Sequence, residues 1–210
     1  MKKILSYVVF LLLLISCHNH ERKHTVSTRG KKLFSDSIAN ENEFVADWLS
    51  YYKALDTSFS FTKFKLIKKD TLHKIKGTIL GSFDPKFDTI YTPFLRYDKS
   101  RTKYIDFDSY NWTLDENNII TEIDQEIDLV NLEDKSVQRI AFRGALQWVE
   151  EAYWKNNSTV VLLENTIENK PVITEIDLVM NQVYVYEYHS SLQFKSEYFK
   201  NRLTKVGFSF

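Results

Sequence analysis

The chain has 210 residues, with 28 lysines and arginines balanced by 28 aspartates and glutamates, so its formal net charge is zero. This balance argues against a nucleic-acid-binding protein, which usually carries a strong basic excess, and gives no reason for spreading on an anionic membrane surface. Cys17 is the single cysteine, so an internal disulfide and a cysteine nucleophile in the folded part are both excluded.

The N-terminus has the pattern of an export signal. Lys2 and Lys3 precede an apolar run over residues 4–15. A helix over this run would be about 18 Å long, well short of a bilayer core of about 30 Å. A short apolar run behind positive charge predicts a signal peptide at residues 1–16 rather than a permanent membrane span.

The end of this run, Leu14-Ile15-Ser16-Cys17, resembles the lipobox of bacterial lipoprotein precursors. The resemblance implies cleavage before Cys17 and acyl chains such as palmitate on its thiol, which would anchor the protein to a membrane of the cell envelope. No acidic residue follows Cys17 directly, so the outer membrane is expected rather than the inner one if the organism is Gram-negative. A plain secretory signal with an incidental cysteine is the alternative.

Residues 17–40 are predicted to be the lipidated cysteine and a flexible tether, because they are polar and show no apolar period before about Phe34. His18, His20 and His24 lie close to Cys17 in this stretch. An acylated cysteine is a poor metal ligand and a tether offers nothing to orient the histidines, so no metal site is expected. A single β-rich domain is predicted over residues 41–210.

The first element of that domain is a predicted helix at about 42–55. Phe44, Trp48, Tyr52 and Leu55 follow a helical period, and Asn40 or Asn42 could cap it. The period then changes to two, in short runs of β-branched and aromatic residues separated by polar turns. Further strands are predicted at 87–96, 103–110, 117–123, 125–131, 135–142, 145–154, 158–164, 171–179, 182–189 and 192–199. These elements predict a mainly β fold, an antiparallel meander or sandwich-like sheet with one N-terminal α-helix packed on it.

The pentapeptide at residues 126–130 recurs at residues 175–179, 49 residues later. Such a period suits β-propeller blades, so incomplete propeller-like blades are the alternative fold. A closed propeller needs about four blades or more, which this domain is too short to supply at that period.

Two polar patterns resemble catalytic or metal sites only in part. His73 and His189, the remaining histidines, lie in no recognisable nucleophile motif. Asp106-Phe107-Asp108 resembles the start of a calcium loop, but Tyr110 and Asn117 stand where oxygen ligands are usual. A turn whose aspartates accept backbone N–H bonds is the favoured interpretation.

Two alternating patterns are candidate binding surfaces. Glu122, Asp124, Glu126 and Asp128 would share one face of an extended strand, either as a solvated outer face or as an acidic stripe for a basic partner. Tyr184, Tyr186 and Tyr188 would form a tyrosine ladder, which either packs inside or contacts a protein or sugar. Residues 205–210 are predicted to form a final strand.

These features favour a non-enzymatic envelope lipoprotein that binds a protein or a glycan. The alternatives are an inhibitor or immunity-type lipoprotein and a hydrolase with an unrecognised site. A deep pocket lined by converging polar groups would favour the hydrolase. No cofactor, metal or nucleic acid is expected.

Overall fold

The computed structural model describes residues 34–79, 81–84, 89–116 and 118–209. The predicted signal peptide, Cys17 and the stretch 18–33 lie outside these residues. The described strands are β1 (Phe64–Thr71), β2 (Ile75–Lys76), β3 (Arg96–Tyr97), β4 (Lys103–Asp106), β5 (Trp112–Asp115), β6 (Asn118–Thr121), β7 (Gln125–Asn131), β8 (Ser136–Arg143), β9 (Gln147–Asn156), β10 (Thr159–Thr166), β11 (Val172–Asp177) and β12 (Gln182–Tyr188). The described α-helices are α1 (Glu43–Leu55) and α2 (Tyr198–Val206), and short 3₁₀ turns lie at Asp36–Asn40, Phe61–Lys63 and Thr92–Phe94.

The strands form two five-stranded antiparallel sheets and a separate β5–β6 hairpin. Sheet A has the order β1-β12-β11-β10-β9, and sheet B has the order β2-β8-β7-β4-β3. Three of the four neighbouring pairs in sheet A and two of the four in sheet B are consecutive along the chain, because polar turns reverse it between runs of strand-forming residues. The mainly β, antiparallel, sandwich-like prediction is confirmed.

The main core lies between the two sheets. Ile105, Ile127 and Leu129 of sheet B pack against residues of sheet A such as Leu162 and Ile176. Burial of each of these side chains contributes about 1.5–3 kcal/mol to the stability of the fold. The repeated pentapeptide lies on β7 in sheet B and around β11 in sheet A. These two sheets pack face to face over one core rather than side by side around an axis, so the propeller alternative is wrong.

Helix α1 covers the outer face of sheet A, the face turned away from sheet B. The Asn42 side chain accepts hydrogen bonds from the backbone N–H groups of Phe44 and Val45, at 3.0 and 3.2 Å, and so caps the helix. Trp48 and Tyr52 are wholly buried against the sheet. The helix predicted at about 42–55 is therefore present.

The packed domain begins before the predicted boundary. Phe34 is only 4 % exposed, and its ring meets the edge of Tyr186 at 5.1 Å. The Asp36 carboxylate accepts the backbone N–H of Phe61 at 3.0 Å and pairs with Lys53 at 2.7 Å. Residues 34–40 thus belong to the domain rather than to the predicted tether.

The strand predictions at 192–199 and 205–210, and the prediction at 87–96 apart from Arg96, are wrong for the residues that the structure describes. Residues 192–197 form no strand, and the following stretch forms α2, which ends at Gly207 with a left-handed φ of 106°. The helix forms because Tyr198, Arg202 and Leu203 share a helical face and are all buried. In the stretch predicted at 87–96, Pro93 occupies a 3₁₀ turn, since proline lacks the N–H that a strand donates.

Candidate functional site

The outer face of sheet B contains an open groove of about 970 Å³. Its floor includes Tyr104 and Asp106 of β4 and Asp128 of β7, and residues 78–79, 81–84, 89 and 91–92 contribute to its wall. These floor side chains point outward because their neighbours Ile105, Ile127 and Leu129 point into the core, and side chains alternate along a strand. The volume lies within the range of small-ligand sites.

Asp106 and Asp128 lie directly opposite each other on the antiparallel pair β4–β7. Side chains in such positions have their Cβ atoms about 4.5–5.5 Å apart. Both residues are more than nine-tenths buried, and both line the groove. The groove therefore has two neighbouring carboxyl groups in its floor.

The environment of Asp128 favours its neutral form. Burial, together with the negative charges of Glu126 and Asp106, raises the pKa of the Asp128 carboxyl to about 7, against the opposing effect of Arg139. Its Oδ1 atom is buried and has no hydrogen-bond partner among the described residues. Gly77 leaves room beside this oxygen, since a Cβ on residue 77 would lie 3.1 Å from it.

Asp106 behaves as the turn interpretation predicts, whereas the Asp108 carboxylate accepts hydrogen bonds from side chains instead of backbone N–H groups. Oδ1 of Asp106 accepts the backbone N–H groups of Asp108 and Ser109 at 3.1 and 3.0 Å. Asp108 forms a buried two-pronged ion pair with Arg202 of α2, with both N–O distances at 2.6 Å. Among the described residues, no group of three or more His, Cys, Asp or Glu side chains is arranged to hold a metal ion.

The predicted acidic stripe does not form one solvated face. Glu122 and Asp124 are exposed and precede β7, while Glu126 pairs with Arg139 at 2.5 Å and Asp128 is only 6 % exposed. β7 begins at Gln125, whose buried amide donates to the Phe107 carbonyl oxygen at 2.8 Å. Because the Gln125 amide is anchored in the interior, only the second half of the acidic run lies on the strand.

Aromatic side chains line the groove beside the carboxyl groups. Tyr97 packs against Tyr104 with ring centroids 5.2 Å apart, and the Arg101 guanidinium lies 4.1 Å from the Tyr97 ring. The Tyr91 hydroxyl donates to the Trp112 carbonyl oxygen at 2.6 Å, which fixes that ring. Tyr110 is 51 % exposed. These four tyrosines lie on successive turns and strands between residues 91 and 110 and follow no helix or strand period, so their spacing does not predict a shared surface.

The predicted tyrosine ladder is interior packing at two of its three positions. Tyr188 is 1 % exposed and stacks on Phe59 at 4.8 Å, and Tyr186 is 7 % exposed under Phe34. Tyr184 is half-buried, with the Lys69 ammonium 5.2 Å from its ring. The contact-surface interpretation is therefore wrong for Tyr186 and Tyr188, because the segments before β1 cover them.

A second buried carboxyl group lies under α1 and serves the fold. Oε2 of Glu150 accepts the Trp48 indole N–H at 2.8 Å and the Tyr52 hydroxyl at 2.7 Å, while the Asn165 amide donates to that hydroxyl at 2.9 Å. Burial raises the pKa of the Glu150 carboxyl, and its hydrogen-bond donors oppose that rise. These bonds attach α1 to β9.

No family model, no curated protein and no solved structure matches the chain. Within the part of the chain that the structure describes, no helix is both long enough and apolar enough to cross a membrane. His73 and His189 are both exposed.

Proposed function

We propose that this protein is a lipid-anchored envelope protein whose groove on sheet B binds a glycan. The observation that supports this function is the combination of tyrosine rings and carboxyl groups along one open groove. The lipobox resemblance at residues 14–17 supports the anchor and the envelope location.

Sugar chemistry fits this lining. The C–H faces of a sugar ring pack on aromatic rings, and its hydroxyl groups donate hydrogen bonds to carboxylate oxygens. Tyr97 and Tyr110 offer ring surface, while Asp106 and Asp128 offer oxygen atoms beside them. Asp128 in particular has an oxygen that the described residues leave without a donor.

Binding is favoured over hydrolysis by the placement of the carboxyl groups. A glycosidase needs two carboxyl groups on opposite sides of the scissile bond. Asp106 and Asp128 instead lie side by side on neighbouring strands of the groove floor. This arrangement suits recognition of hydroxyl groups from one side.

A hydrolase is the second candidate, favoured by one observation. A carboxyl group with a pKa of about 7, as at Asp128, is protonated at the pH where a general acid has to act. Incubation of the protein with the bound glycan, followed by product analysis, separates the two functions. If the wild type cleaves the glycan and Asp128→Asn does not, the function is hydrolysis rather than binding.

The binding test uses oligosaccharide fragments of the cell envelope on an array, followed by calorimetry on the best ligand. Tyr110→Ala and Tyr97→Ala should each weaken binding at least tenfold. Tyr184→Ala on sheet A is the matched control, because it removes the same ring from the other outer face. Equal weakening by all three variants, or the absence of any glycan ligand, would contradict the proposal.

The anchor is tested separately at Cys17. Cys17→Ala should abolish labelling by a palmitate analogue and release the protein from the membrane fraction. The midpoint of unfolding should not change, because Cys17 lies before the packed domain, which begins at Phe34. A wild-type protein that takes up no label, with unchanged membrane retention of the variant, would contradict lipidation.

A further inference from the structure

The two long sides of the sandwich differ. On one side, β3 and β9 are joined by the buried Arg96–Glu151 ion pair at 2.7 Å and by the Trp154 indole, which donates to the Arg96 carbonyl oxygen at 2.8 Å. On the other side, the edge strands are β1 of sheet A and β2 of sheet B. The chain crosses from one sheet to the other at residues 72–74, with Leu72 in the core.

The charged side chains on this second side are mostly positive. Residues 63–76 contain six lysines and a single acidic residue, Asp70, a net charge of +5 before histidine is counted. The lysines are Lys63, Lys65, Lys68, Lys69, Lys74 and Lys76. We call residues 63–76 the lysine edge. A neutral chain therefore has a strongly basic segment along one side of its fold.

Acidic side chains of the described residues leave most of this charge uncompensated. Lys68 pairs with Asp70 at 2.7 Å, but both side chains are at least half exposed, so the pair is weak. Lys65 lies opposite Glu187 on β12, yet Glu187 pairs with Lys170 at 2.5 Å. The lysine edge thus keeps an excess of positive charge facing solvent.

The backbone of β1 is also open. β1 pairs with β12 on one side, and no strand of the described residues pairs with its other side. The unpaired N–H and C=O groups of an edge strand are a template for a further strand. Leu66 and Ile67 are 46 % and 56 % exposed on this strand, which offers apolar contact between the lysines.

Charge limits what can pair there. A second copy of this chain, docked edge to edge, would bring lysines against lysines, and like charges in such positions are destabilising. The N-terminal residues 18–33 are excluded for the same reason, with five basic residues against Glu21. An acidic strand from another protein has the complementary charge.

We propose that the lysine edge binds an extended acidic segment of a partner protein, which adds to sheet A as a sixth strand beside β1. Backbone hydrogen bonds hold the strand, and Lys65 and Lys68 contact its carboxylates. Lysines also protect edge strands from self-association, and a purely protective role predicts no acidic ligand.

The test uses two fluorescent peptides with the full-length protein at two salt concentrations. One peptide alternates Glu with Val, and the other alternates Glu with Pro, which has the same charge but cannot pair as a strand. The Glu–Val peptide should bind at least tenfold more tightly, and it should protect amide hydrogens of residues 64–71 from exchange. Equal binding of the two peptides would overturn strand addition.

Point variants test the contact itself. Lys65→Glu should weaken binding of the Glu–Val peptide at least tenfold, while Lys99→Glu, the same charge reversal in the turn before β4, should change it less than twofold. Both positions are exposed, so both variants should keep the fold. Failure of the peptide to bind would assign the lysines to edge protection. Binding to phosphatidylglycerol vesicles, lost in Lys65→Glu while the peptide does not bind, would assign them to a membrane surface.

Discussion

The two outer faces of the sandwich have similar side chains, but one face is covered and the other is open. Each is rich in tyrosine and contains a buried carboxyl group, Glu150 on sheet A and Asp128 on sheet B. On sheet A, helix α1 and the segments before β1 cover the face, so Tyr188 is interior. On sheet B, the groove stays open and Tyr110 is half exposed. The covering element decides whether a row of aromatic residues is packed in the interior or stays accessible on the surface.

The two carboxyl groups show the same contrast. One oxygen of Glu150 accepts two hydrogen bonds from α1, and these bonds hold the helix on the sheet. Each carboxyl group has one oxygen without a hydrogen-bond partner among the described residues, Oε1 of Glu150 and Oδ1 of Asp128, but Glu150 is wholly buried under α1 whereas Asp128 lines the open groove. A buried polar group normally finds a partner, so the unmatched oxygen beside a groove is the better candidate for a ligand contact.

Removal of the central side chain of the covered face should have the largest effect. Trp48→Ala deletes a wholly buried ring that packs against Tyr52 at 4.5 Å, and it removes a donor from Glu150. We expect the free energy of unfolding to fall by about 3–5 kcal/mol. Denaturant titration measures it, and Leu55→Ala, an exposed change on the same helix, should stay within about 0.5 kcal/mol. A small loss in Trp48→Ala would show that α1 is not an essential cover.

A pair of tyrosine variants separates packing from binding. Tyr188→Ser removes a buried ring and should cost about 3 kcal/mol of stability. Tyr110→Ser removes an exposed ring, so it should change the free energy of unfolding by no more than about 0.5 kcal/mol. It should instead weaken binding of the glycan. Unfolding curves and calorimetry on the same two variants measure both effects. A stability loss in Tyr110→Ser equal to that of Tyr188→Ser would remove the distinction between the two faces.

The local patterns of the sequence are enough to predict α1, with Asn40 or Asn42 as its cap, and most of the strands; the structure has the cap at Asn42. Those elements depend on interactions within a few residues along the chain, such as the hydrogen bonds that Asn42 accepts from the backbone N–H groups of Phe44 and Val45. The C-terminal strand was predicted from the alternation of Phe208 and Phe210. The helix before them forms because Arg202 meets Asp108, 94 residues earlier, and such a pairing has no local signal.

The groove could be predicted only in part. The acidic run included Glu126 and Asp128, but alternation alone could not show that Asp128 faces Asp106 on another strand. The groove tyrosines lie within residues 91–110 but on different turns and strands, so they come together only when β3 and β4 have paired. The tyrosine ladder has a regular local pattern, but that pattern cannot show that Phe34 and α1 cover it. The prediction of a contact surface at Tyr186 and Tyr188 was therefore wrong.

The pH dependence of stability tests the open face. A folded pKa of about 7 at Asp128 exceeds the usual value of 3.8, so its contribution is complete below pH 4 and is lost as the pH rises toward 7. Asp128→Asn should therefore gain about 1–2 kcal/mol over the wild type at pH 8 and little at pH 4, less than the full shift because water reaches the groove. Urea titrations at both values measure the difference. An equal change in the free energy of unfolding at pH 4 and pH 8 would show that the Asp128 carboxyl does not titrate between these two values.

The smallest effect is expected at Gly77, and it tests the same oxygen from the other side. A Cβ at residue 77 would lie 3.1 Å from Oδ1 of Asp128 and 3.1 Å from a Val137 methyl group, so Gly77→Ala must push both neighbours slightly. The entropic gain of replacing glycine, about 0.4–1 kcal/mol, opposes this strain, and we expect a net loss below about 1 kcal/mol. In an Asp128→Ala background one of the two contacts disappears, so Gly77→Ala should be less costly there. A double-mutant cycle measures this coupling, and strict additivity would mean that Gly77 and Asp128 do not share this space in solution.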